Sequence, residues 1–141
     1  HGIDIQVQDG VVEITPPCLL PKRTQKQSTE FLLDPLYFAL SRYNDAIPLP
    51  VFDKCIVCFS HVYAGKQPSK RVRDYDNLEL KQILDVIACF MMVDDSGMFC
   101  DAYNTTEFGK EDCTKIFIMD KKTFPEWLES RSECRKNISD F

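Results

Sequence analysis

The chain has 141 residues, 44% of them hydrophobic and 28% charged, with a formal net charge of −5. That length sets the expectation of one domain with a core that needs no disulfide staples, and the composition excludes a largely disordered chain. No apolar run approaches the roughly 20 residues that span a bilayer, and the acidic balance argues against a general nucleic-acid coat without excluding a local basic face.

The chain starts His1, Gly2, with no methionine or signal-peptide pattern, so residues 1–141 read as a single domain taken from a longer protein. Residues 7–15 alternate loosely and run into Pro16 and Pro17, which predicts a strand and then an extended turn. Lys22, Arg23 and Lys26 follow in a polar stretch, by default a solvated loop and otherwise a grip on a phosphate backbone. Phe31, Leu32, Leu36, Tyr37, Leu40 and Tyr43 recur at helical spacing and predict a helix over 29–44. Pro35 then requires a restart or a beginning near Asp34.

Residues 55–63 make the strongest strand segment, rich in Ile, Val, Phe and Cys, and Gly65 ends it. Within it Cys55, Cys58 and His61 have a zinc-like spacing, but residues three apart on a strand face opposite sides and no matching half-site follows. The seven cysteines are an odd number spread through apolar segments. They suit buried thiols in a reducing cytoplasm, the expected location.

A second helix is predicted over 78–92, with Leu80, Ile83, Leu84, Ile87 and Met91 on one face. Runs at 98–103 and 114–119 flank a polar loop containing Gly109 and predict a hairpin with a long connection. Phe124 to Leu128 predicts a short closing helix, and the polar tail from about 130 is expected to be loose. The order of elements gives an α+β fold, a mixed β-sheet with helices packed on one side.

The chemistry concentrates ahead of the second helix. Asp74 and Asp76 are two apart, so on an extended segment both carboxylates leave one face, about 7 Å apart at Cα, a gap that a hard cation bridges. Asp94 and Asp95 beyond the helix offer a third carboxylate, and Lys66, Lys70, Arg71 and Arg73 crowd the approach. Each residue also has a plain reading. Asp76 with Glu79 makes a capping box, Asp94 to Gly97 makes a turn, and the cations neutralise the acids beside them.

Arg73, Asp74, Asp76, Asn77 and Leu78, then Lys81 and Asp85, then Val93, Asp94 and Asp95 together resemble the RusA family of Holliday-junction resolvases. The resemblance implies a RusA-like fold and a small homodimeric endonuclease that cuts branched DNA with magnesium or manganese. It implies that Asp74, Asp76 and Asp95 carry metal-dependent cleavage, with Asp94 the further candidate ligand, and that Lys81 assists. Lys22, Arg23, Lys66, Lys70, Arg71 and Arg73 are then the DNA-contact candidates. Lys81 stands five residues after Asp76 where the family spacing is four, which turns it by about 100° around the helix. The alternative is a catalytically inactive module of the same fold that serves binding or assembly.

Overall fold

A hairpin opens the chain in the computed structural model, which describes residues 2–16, 30–64, 80–93 and 100–139, with side chains omitted at 30, 31 and 132–139. Strands β1 (Asp4–Gln8) and β2 (Val11–Thr15) pair antiparallel, with Gln8 opposite Val11. Between them Asp9 and Gly10 take positive φ values of 55° and 79°, the two-residue turn whose twist matches that of the flanking strands. The single strand expected over 7–15 is therefore two, divided by an Asp-Gly turn.

Helix α1 (Glu30–Ala46) is continuous through Pro35. No restart occurs, because the proline lies within two turns of the helix start and removes a single ladder bond there. Leu32, Leu36 and Leu40 follow one another on its buried face. Past its end the Leu49 amide donates to Asn44 Oδ1 at 2.8 Å, tying down the proline-flanked connection.

Strand β3 (Cys55–Ala64) leads to helix α2 (Lys81–Met91) and then to β4 (Cys100–Gly109), which lies parallel to β3 from Cys55↔Cys100 to Ala64↔Gly109. The Phe52 amide donates to the Met91 carbonyl and the Val93 amide to the Phe52 carbonyl, so the C-terminal end of α2 sits beside the start of β3. Its N-terminal end, Lys81, therefore faces toward the end of β3. The N-cap position is held by Leu80 with helical dihedrals and no side-chain hydrogen bond. Asp76 and Glu79 of the expected capping box lie outside the described residues.

Strand β5 (Cys113–Asp120) completes a mixed sheet in the order β1-β2-β5-β3-β4. The expected hairpin between β4 and β5 does not form; β3 lies between them, antiparallel to β5. Burial explains the order. Ile116, Phe117, Ile118 and Met119 are all buried, as befits a strand covered on both faces, whereas β4 is polar and half-exposed and takes the edge. The short connection over 110–112 thus crosses the end of β3, where Asp112 Oδ1 accepts from the Ala64 amide at 2.7 Å.

Alternation sorts two cores. Val12, Ile14, Val57, Phe59, Ile116 and Ile118 point toward α1 and α2 and meet Leu36, Leu40, Ile83, Ile87 and Met91. Cys58, Phe117 and Met119 point the other way. The α+β fold with a mixed sheet is as expected, and α1 and α2 share one face. Helix α3 (Phe124–Ser139) covers the other, where Trp127 packs on Phe117 at 5.0 Å between ring centroids. The helix runs on to Ser139, through the tail that was expected to be loose from about 130.

Candidate functional site

The end of the parallel pair β3/β4 gathers the polar chemistry of the described residues. On the face that carries α1 and α2, His61 is buried and stacks on Phe59, and its Nε2 is 2.9 Å from Asn104 Oδ1. Phe59 and Asn104 are register partners, so the bond spans neighbouring strands. Thr114, opposite His61 on β5, is fully buried beside it. This is the environment of an ordinary strand histidine held in place by an amide.

On the opposite face Arg131 of α3 reaches Glu107 Oε1 at 2.5 Å and Ser60 Oγ at 3.5 Å. Its guanidinium lies 4.7 Å from the Phe117 ring centre and 4.9 Å from that of Trp127. Thr105, in the same row as Glu107, has a buried hydroxyl oxygen with no hydrogen-bond partner among the described residues. An open groove of about 960 Å³ runs past this cluster, bounded by Val62, Glu107, Phe108, Asp112, Trp127 and Arg131 among others. Reading the sequence missed Arg131 because it fell in the polar tail; the signal present was its i, i+4 spacing from Trp127.

Of the residues expected to act on DNA, Lys81 alone lies within the described residues, exposed at the start of α2. Asp74, Asp76, Asp94, Asp95, Lys22, Arg23, Lys66, Lys70, Arg71 and Arg73 lie outside them. Their neighbours set terms nonetheless. Asp74 and Asp76 belong to the connection between Ala64 and Leu80, while Asp94 and Asp95 follow Val93 at the other end of α2. Asp76 is four residues from Leu80 and Asp95 two from Val93. At about 3.4 Å per residue those reaches are about 14 Å and 7 Å, against about 16 Å for the length of α2. Together the two reaches exceed that length.

Among the described residues no group of three or more His, Cys, Asp or Glu is arranged to hold a metal ion. Cys55 and Cys58 lie in the two different cores, as strand alternation requires, so they cannot share a zinc ion. Cys55 stands beside Cys100 in the parallel register; the hydrogen bond with that thiol, and then burial, push its pKa far above the ordinary 9.0. Burial also raises that of Cys113. Neither is a thiolate nucleophile at neutral pH.

A family model described as a family of unknown function, DUF6100, matches residues 1–141. The chain belongs to that family. No curated protein matches the DUF6100 chain. No helix among its described residues is long and apolar enough to cross a membrane. The His61–Asn104 and Arg131–Glu107 pairs are polar features that the geometry assigns at the β3/β4 end of this DUF6100 domain.

Proposed function

We propose that this domain is a metal-dependent, structure-selective endonuclease that cleaves branched DNA such as Holliday junctions, acting as a homodimer in the cytoplasm. The observation that carries the reading is the pair Asp74 and Asp76, two residues apart, ahead of a helix opened by the exposed Lys81. Supporting it, α2 is the crossover of a parallel β-α-β unit and starts toward the end of β3, the edge where such units accept ligands. The likeness to the RusA family, from Arg73 to Asp95, supplies the substrate class.

Asp74, Asp76 and Asp95 would hold magnesium or manganese, with Asp94 as the further candidate, and the bound ion would acidify a water and neutralise the leaving oxygen of a phosphodiester. Lys81 would stabilise charge on the transferring phosphate. Lys66, Lys70, Arg71 and Arg73, with Lys22 and Arg23, would hold the backbone through contacts that weaken as salt rises.

Asp76→Asn tests the reading. The variant loses nicking of synthetic four-way junctions in magnesium, while without metal its melting temperature stays near the parent's, since Asn keeps the size of Asp and the N-cap of α2 is held by Leu80. Cleavage at the parent's rate would reduce Asp76 to a structural role. The parent also gains thermal stability from millimolar magnesium or manganese by mass action, and Asp76→Asn does not.

That the two acidic connections join α2 at opposite ends, before Leu80 and after Val93, favours a second reading, a catalytically inactive module used for binding or assembly. It predicts no specific thermal shift with either metal and no cleavage by the parent.

A further inference from the structure

Among the described residues strand β1 is an edge of the sheet, bonded to β2 on one side. In a hairpin closed by a two-residue turn the flanking residues form a bonded pair, here Gln8 and Val11. The amides of Asp4, Gln6 and Gln8 are thereby committed to β2, and those of Ile5 and Val7 point outward. The strand reads Asp-Ile-Gln-Val-Gln and carries no lysine, proline or bulge, the devices that normally blunt an edge.

The sequence of β1 is self-complementary about Gln6. In an antiparallel pairing with a second β1, Gln6 meets Gln6, Ile5 meets Val7 and Asp4 meets Gln8. No like charges face each other. The Ile5 and Val7 pairs exchange both backbone bonds, and every side chain stays on its own face because pairs of equal parity match. Beside the strand on the α1 face lies a groove of about 390 Å³ lined by Ile3, Ile5, Phe38 and Tyr43, with Arg42 also on its wall and Phe38 64% exposed. Pairing doubles the Ile3, Ile5 and Val7 row and carries it under the second copy's α1. The other edge, β4, has its Asp101 and Glu107 engaged by Lys121 and Arg131.

We propose that the outer edge of β1 docks a second copy of this chain, strand to strand about a two-fold axis at Gln6, to form one continuous ten-stranded sheet. The surface is read from β1 and its groove and stands whether or not the domain cleaves DNA.

Sedimentation equilibrium of the 141-residue chain tests it, with melting curves to verify folding. The parent sediments at twice its 16.3 kDa mass. Gln6→Lys and Gln6→Glu, each placing like charges across the axis, sediment as monomers with cooperative melts, and an equimolar mixture returns to the dimer. Gln8→Lys faces Asp4 of the second copy and lowers the dimer Kd by about three- to tenfold, a gain that misfolding cannot imitate. A monomeric parent, dimers that survive both Gln6 substitutions, a mixture that stays monomeric, or no tightening with Gln8→Lys overturns the proposal.

Discussion

The guanidinium of Arg131 lies against two aromatic rings, a carboxylate and the Ser60 hydroxyl, so truncating it removes four contacts at once. Arg131 and Glu107 are 24% and 21% exposed, which screens the pair in part but not as fully as at an open surface. Arg131→Ala is expected to cost about 2 kcal/mol in urea unfolding, from the ion pair and the cation–π contacts together. Arg131→Lys keeps the charge but loses the flat stacking plane, and recovers less than half of that. A loss equal to that of a solvent-exposed charge would mean that α3 is held by Phe124 and Trp127 without Arg131. At this scale the sequence was legible where a rule of period two applied: Cys55 and Cys58 had to face apart, and they do. It was mute on Arg131 because nothing local says which strand residues a helical cation will meet.

Elements were legible where apolar residues kept a strict period. The face of α2 follows its helical spacing through Ile83, Ile87 and Met91, and β3 follows its β-branched run. Strand β4 broke that rule: Asn104, Thr105, Thr106 and Glu107 occupy its middle, so only its beginning was visible. Its pairing was hidden for the same reason, since a parallel neighbour is fixed by a crossover and not by a turn motif. The Asp9–Gly10 turn was present in the sequence, yet the apolar residues on both sides of it ran together as one strand. At the far end of β4, a Cβ on Gly109 would come 2.8 Å from Val62 Cγ1 on β3. Gly109→Ala therefore forces Val62 or the strand end to shift, just before the chain crosses β3. The expected loss is about 1–2 kcal/mol, read from chemical denaturation, and a Val62→Ala background relieves part of it. An unchanged denaturation midpoint would show that Val62 yields freely.

For the whole molecule, length and element order were enough to anticipate an α+β domain with a mixed sheet, while the distribution of helices over both faces was not. Helix α3 was expected as a short closing helix over 124–128, and which face it takes became evident only once Phe117 and Trp127 were seen together. The candidate metal ligands were nameable from spacing because two acids ahead of a helix form a local pattern. The reach between the two acidic connections depends on which way α2 runs, and that was fixed by bonds from Phe52 and Val93 at its far end.

The sheet order has a consequence for how the polypeptide is made. Among the described residues, strand β5 is the sheet's link between the N-terminal hairpin and the β3/β4 pair, and it leaves the ribosome after the other four strands. Until it emerges, β2 and β3 each lack their shared neighbour, and the nascent chain must hold two unjoined pieces apart. A polypeptide ending at residue 112 should therefore show no cooperative unfolding transition. Supplying the remainder as a separate peptide should restore one, and a truncated chain that melts cooperatively by itself would contradict this order of assembly.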